Sequence, residues 1–180
     1  RSGRVTGVQT CALPISGRPG PVFLELPPDI LNVTVNEDEL MWPRKGSVAP
    51  RPGPDPALIQ PAADLINQAE RPFIIAGSGV GFSKCDEELG QFIGVSGIPF
   101  ALINAGRGAL PDDHPLSIWE GGLMGILTAF SQSDLVIALG IRFNWLLMFG
   151  QIFPHAKMVR VDIDPAEIDR NRAADVRLAG

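Results

Sequence analysis

DLVIALG, Asp134–Gly140, and KMVRVDID, Lys157–Asp164, are two apolar runs that each stop abruptly at polar residues. Short apolar runs of this kind, bounded by turn signals, have the length and character of strands buried on both faces, which is the pattern of a parallel sheet. In an open parallel sheet the carboxyl ends of the strands form the crevice in which ligands bind. Gly140, Arg142, Asp162 and Asp164 are therefore expected to line one pocket.

Outward from these runs, helical and strand patterns alternate from Pro56 onward. Leu58, Ile59, Ala62, Leu65, Ile66 and Ala69 recur at three- and four-residue intervals and predict a helix packed by one face, with Pro56 at its start. A strand over residues 73–76, a glycine turn, a helix over about 86–95 and a second strand over 98–103 follow. After the polar loop NAGRGALPDDHP come a helix over 122–132, the strand at 134–139 and an aromatic segment in which Trp145 and Phe149 would share a helix face. The strand over 158–163 then leads into a helix that Asp164 caps and Pro165 begins. A last strand is expected at 176–179. Strands separated by helical stretches of these lengths argue an α/β fold with a doubly wound parallel sheet.

The amino-terminal third reads differently. Residues 17–30, GRPGPVFLELPPDI, read as a turn, a short buried strand over 22–26 and a proline stop, because proline removes a ladder donor. Residues 32–55 turn proline-rich, which predicts a semi-extended linker. The stretch Val5–Ser16, VTGVQTCALPIS, has the look of a translated sequencing adapter and is set aside with the rest of residues 1–16. Setting it aside leaves Cys85 as the one credible cysteine, which excludes an internal disulfide framework or a cysteine-clustered metal site and makes a cytoplasmic setting the expectation.

A length of 180 residues with 45% hydrophobic content allows a full globular core. No apolar run approaches the ~18 residues of a membrane span. The formal net charge is -5, and removing Arg1 and Arg4, with no acid among residues 1–16, takes it to -7. With no cluster of Lys or Arg, nucleic acid and anionic membrane are not expected partners.

The chemistry-bearing residues are few. GSGVG, Gly77–Gly81, lies between a strand and a helix, where bare backbone can approach a phosphate, and it reads equally as a plain tight turn. It is not GxGxxG, and no acid follows at the spacing of the dinucleotide fingerprint. Asp162 and Asp164 alternate onto one side of the backbone, suited to ribose hydroxyls, or else serve only as a cap and a solvated edge residue. Arg142 is placed to grip a phosphate or to pair with a nearby carboxylate. His114 and His155 lack a Ser, Cys or acid partner, and Cys85 stands alone beside Lys84, so no nucleophile relay, acid–base pair or metal cluster emerges.

Taken in order, GRPGPVFLELPPDI, the proline linker, RPFIIAGSGV, GIPFALINAGRGALPDDHPLS, SDLVIALGIRFNW and VRVDIDPAEIDRN resemble the thiamine diphosphate-dependent enzymes of the acetolactate synthase and oxalyl-CoA decarboxylase type. The resemblance implies that residues 17–31 end a pyrimidine-binding domain, that 32–55 link it onward, and that 56–180 are most of a central domain with a six-stranded Rossmann-like sheet. It implies thiamine diphosphate and magnesium held elsewhere in a longer parent, no catalytic or metal-binding residue in this piece, and ADP, FAD or no nucleotide in the central domain. By motif match, the nucleotide contacts would be Gly77, Ser78, Gly79, Asn104, Gly140, Arg142, Asp162, Ile163, Asp164, Asp175 and Val176. GIRFNWLL resembles the GARLNWLL of oxalyl-CoA decarboxylase and 2-hydroxyacyl-CoA lyase rather than the FDDR-bearing turn of acetolactate synthases, which shifts the expectation from FAD toward ADP or an acyl-CoA connection. The implied parent is a homo-oligomer acting on a small 2-oxo acid or an acyl-CoA. Two rival readings stand beside it: a purely structural domain, and an NAD-binding deacylase-like domain, for which the usual catalytic histidine and CxxC pairs are missing.

Overall fold

The computed structural model describes residues 17–18, 20–21, 23, 25–40 and 51–180. The adapter-like stretch and much of the proline linker lie outside the described residues. The chain divides into two compact units that part between Arg51 and Pro52. The first holds a single helical turn, Pro28–Leu31, and a 3-10 turn, Glu37–Glu39, whose first N–H groups Asn36 caps by accepting from Asp38 N. Of the strand expected over 22–26, Val22 and Leu24 lie outside the described residues; Phe23, Glu25 and Leu26 join no ladder, and Phe23 is 88% exposed. An apolar segment without a hydrogen-bonded neighbour gains nothing from the extended form.

The second unit is built on five parallel strands: β1 (Pro72–Ala76), β2 (Phe100–Leu102), β3 (Leu135–Leu139), β4 (Lys157–Asp162) and β5 (Val176–Ala179), in the spatial order β2-β1-β3-β4-β5. Five strands thus stand among the described residues where six were expected. The chain leaves β1 in one direction to make β2 and returns on the other side to make β3. The strand order therefore reverses between β1 and β3, and the crevice of an open parallel sheet lies over such a reversal.

Alternation along the strands sorts the core into two layers. Ile74, Ala76, Leu135, Ile137 and Val159 pack with Ala62 and Leu65 of α1 (Ile59–Gln68), Val80 of α2 (Ser78–Ser83), and Leu89 and Ile93 of α3 (Asp86–Ser96). Phe73, Ile75, Val136, Ala138 and Met158 face the other way, toward Phe130 of α4 (Gly122–Gln132) and Ile168 of α5 (Pro165–Ile168). On this second side, Phe153 is fully buried and meets Phe130 at 5.1 Å and Phe143 at 6.0 Å between ring centroids.

Each helix has a local cause. Pro56 opens a 3-10 turn, Pro56–Leu58, ahead of α1, and Asp55 caps it by accepting from Ala57 N at 2.9 Å. α3 carries Asp86, Glu87 and Glu88 in its first turn, where carboxylates favour the positive end of the helix dipole, and stops at Gly97 with φ +64°. Asp164 caps α5 by accepting from Ala166 N at 3.0 Å, as its sequence predicts. Among the described residues no helix is long and apolar enough to cross a membrane.

Candidate functional site at the strand-order reversal

The carboxyl ends of β1, β2 and β3 are drawn together by their glycines. Gly77 N donates to Leu139 O at 2.9 Å, Gly79 N donates to Gly140 O at 2.9 Å, and Gly140 N donates to Val161 O at 2.8 Å. A Cβ at Gly79 would stand 2.5 Å from Gly140 Cα, and one at Gly77 would stand 2.8 Å from Ile141 Cβ. Two turns thus meet backbone to backbone, a distance that only glycine allows. GSGVG, which its sequence allows as either a phosphate-approaching loop or a plain tight turn, is helical from Ser78, where α2 begins; close packing against Gly140 overrides the poor helix propensity of glycine. With the N–H groups of Gly77 and Gly79 used, that of Ser78 is the one at this turn without a backbone carbonyl partner among the described residues.

Asn104 joins the same rim from β2, at the head of the 3-10 turn Asn104–Gly106, with φ +53°. This turn packs on α2, since a Cβ at Gly81 would meet Ala105 O at 2.5 Å and one at Gly106 would meet Gly77 O at 2.6 Å. Arg142 follows β3, with its side chain 55% exposed and its Nε 3.8 Å from Oε1 of the buried Glu167, which also receives Arg170 at 3.0 Å.

Asp162, Ile163 and Asp164 leave β4 at the same edge, and both carboxylates are already engaged. Asp162 Oδ1 accepts from Asp164 N at 2.9 Å while Asp164 caps α5. Burial pushes the Asp162 carboxyl above the ordinary aspartate range, against the opposing pull of the Asp164 N–H and of Arg160. A carboxyl whose folded pKa is raised subtracts stability as pH climbs from its unfolded value near ~3.9 through the folded one, and the cost is complete above both. Asp162→Asn keeps the acceptor for Asp164 N and removes the charge. It should therefore raise the melting temperature by a few degrees at pH 7 and leave it unchanged near pH 3; a fall at pH 7 would show that the ionised form is the stabilising one.

The structure does not bring Asp175 and Val176 to this rim. β5 runs parallel to β4 with Val176 opposite Val159 and Ala179 opposite Asp162, so Val176 lies three strand positions, about 10 Å, below the carboxyl edge. Asp175 instead accepts from Met158 N at 2.7 Å, at the start of β4. Register decides this, and no local sequence signal marks it. Sequence reasoning also passed over Arg160, fully buried, which donates to Ile141 O at 3.0 Å and Arg170 O at 3.2 Å and lies 4.2 Å over the Phe143 ring. Burial lowers its pKa, opposed by Asp162, Glu167 and Asp169. A single Arg in an apolar strand was the available signal.

The remaining candidates stay outside the rim. His114 accepts from Leu116 N at 3.1 Å and packs edge-on against Phe100, and Cys85 Sγ is 3.1 Å from Ser83 Oγ. Trp145 and Phe149 do not share an α-helical face: the segment is a 3-10 turn, Trp145–Gly150, in which Met148 and Phe149 take φ +46° and +53°. A hollow of about 320 Å³, lined by Arg71, Ser131, Gln132, Ser133, Asp134 and His155, lies at the opposite, amino edge. Its Asp134 is occupied in receiving the N–H groups of Glu70 and Arg71 at 2.8 and 2.9 Å, so the rim over the strand-order reversal is the better candidate.

The family model for the thiamine pyrophosphate enzyme central domain matches residues 59–180. The chain belongs to this family. The central domain so identified contains both the sheet and the rim. Similar proteins include oxalyl-CoA decarboxylase of Escherichia coli K12, 37% identical over 170 residues that cover 92% of this chain and 29% of the relative. A probable acetolactate synthase large subunit of Methanocaldococcus jannaschii is 37% identical over 174 residues, with the same two coverages. A 2-hydroxyacyl-CoA lyase of Oryza sativa subsp. japonica is 32% identical, covering 89% of this chain and 29% of the relative. These matches are longer than residues 59–180, so the similarity to thiamine pyrophosphate enzymes also reaches upstream of Ile59. The chain spans under a third of the length of each of these relatives.

Proposed function

We propose that this chain is part of a longer thiamine diphosphate-dependent enzyme that makes or breaks a carbon–carbon bond beside a carbonyl. In this reading residues 17–31 end the pyrimidine-binding domain, residues 32–55 are the linker, and residues 56–180 belong to a doubly wound central domain whose full sheet has six strands. The reaction takes place elsewhere in the parent. In this reading thiamine diphosphate and magnesium are held by other parts of the parent; among the described residues no three His, Cys, Asp or Glu side chains gather as a metal site. When bound, thiamine diphosphate supplies the carbanion chemistry, and this piece supplies no catalytic residue.

The role left to this piece is to accommodate a nucleotide, ADP or FAD, at the carboxyl edge. One observation supports it most: the exposed Arg142 guanidinium stands two residues past Gly140, at the rim where the β1 and β3 turns close on each other. Ser78 N–H and Arg142 would meet phosphate, and Asp162 and Asp164 the ribose; Asp175 and Val176 have no part in it. A second reading is favoured by the same geometry. The glycines are consumed in packing against one another and both aspartates in their own turns, as in a domain whose crevice is only structural. The substrate of the parent is a small 2-oxo acid or an acyl-CoA, the parent is a cytoplasmic homo-oligomer, and neither nucleic acid nor membrane is its partner.

Calorimetric titration of the full parent polypeptide with ADP separates the two. Arg142→Ala should weaken ADP binding about tenfold or more, the worth of one charge-assisted contact. Unchanged affinity would remove Arg142 from the site, and no binding by either protein would favour the structural reading. A flavin band in the visible spectrum would select FAD over ADP.

A further inference from the structure

Arg142 is the one exposed cation on the turn that follows β3, and both of its chain neighbours are buried: Ile141 is 3% exposed and Phe143 2%. Both neighbours are held by the same side chain. Arg160 reaches across from β4, with one guanidinium nitrogen on Ile141 O at 3.0 Å and the guanidinium carbon 4.2 Å from the Phe143 ring centre. Its strand partner on β3 is Ala138, whose small side chain leaves room for the guanidinium on this face of the sheet. The second nitrogen ties Arg170 O at 3.2 Å, and the next residue, Asn171, donates to Phe143 O at 2.7 Å. The turn bearing Arg142 is thus clamped on both sides.

A buried guanidinium is a costly way to fill space, because a hydrophobic side chain of similar volume often serves stability equally well or better. Its planar fork, however, can bridge two carbonyls and lie on a ring at once, which an ammonium group cannot. We propose that Arg160 is a positioning residue for the carboxyl-edge site: it sets the direction in which Arg142 leaves the turn and so the affinity for a phosphate-bearing ligand. The proposal rests on the nucleotide reading given above.

The test is a double-mutant cycle in the full parent polypeptide, with ADP affinity and melting temperature read together. Arg160→Lys should weaken ADP binding about tenfold when Arg142 is present and less than about twofold in the Arg142→Ala background, because its effect passes through Arg142. Its melting temperature should fall by the same amount in both backgrounds. Asn171→Gly keeps the left-handed backbone of Asn171, φ +68°, and removes only the bond to Phe143 O. It should weaken ADP binding about threefold in the same Arg142-dependent way, and it carries the cycle if Arg160→Lys does not fold.

Equal weakening of ADP binding in both backgrounds would overturn the proposal, since that is what general loosening of the domain produces. Unchanged affinity in every clamp variant would overturn it as well. If Arg142→Ala itself leaves ADP affinity unchanged, the nucleotide reading fails first and the proposal falls with it.

Discussion

Gly140→Ala should lower the melting temperature by about 10 °C, the result of roughly 3 kcal/mol of destabilisation in a unit of this size. Two costs add at this position. The new Cβ would stand 2.5 Å from Gly79 Cα and 3.1 Å from Gly79 N, and neither belongs to a flexible side chain that could give way. Overpacking of this sort costs about 1–3 kcal/mol. Gly140 also has φ +54°, where an L side chain adds about 1 kcal/mol. Because Gly79 N donates to Gly140 O, any relief by separating the turns breaks the bond that joins them. Thermal unfolding followed by circular dichroism checks this; a variant melting within a degree or two of the parent would mean that the two turns are not in contact.

Phe153→Ala should cost about 3–5 kcal/mol, the range for emptying a fully buried aromatic site, and more than 10 °C in melting temperature. Phe153 is 0% exposed and lies between Phe130 of α4 and Phe143 of the Arg142 turn, so its ring links the helix layer to the carboxyl-edge rim. Urea unfolding gives the number directly. A loss below about 1 kcal/mol would show that the neighbouring rings collapse into the space and that Phe153 does not hold the layer together. Phe153→Leu, which retains much of the volume, should recover about half of the loss.

Much of the sheet was legible because its signals are local. The apolar runs became β3 and β4, the segment ending at Ala179 became β5, and α4 spans Gly122–Gln132 as its pattern predicts. The cap at Asp164 and the start at Pro56 were equally plain, since each depends on one or two residues. Residues 22–26 carried the same apolar signal as a strand, and Phe23 stands exposed instead. Apolar character states a need for burial and does not supply the neighbour.

The differences from the sequence reading around the site share one cause. GSGVG was read as a phosphate-approaching loop or a plain tight turn from its place between a strand and a helix, and Trp145 to Phe149 was read as helical because its spacing allows it. In the structure the first is helical through contact with Gly140. The second leaves helical geometry where Phe149 N turns back to Asn144 O and Arg172 takes Gly150 O. Asp175 and Val176 were grouped with Asp162 and Asp164 by motif match to the resembled family, and strand register sets them toward the other end of β4.

By itself, then, the order of residues determined the α/β alternation, the parallel sheet and the four segments, at Gly77, Asn104, Gly140 and Asp162, that end on one edge, because hydrophobic period, caps and strand stops act within a few residues. Only the tertiary structure decided which glycines touch, that Asp175 and Val176 lie away from the rim, and that Arg160 holds the turn carrying Arg142. Those facts depend on register and on contacts between residues far apart in the chain, where a shift of one position moves a side chain to the opposite face of the sheet.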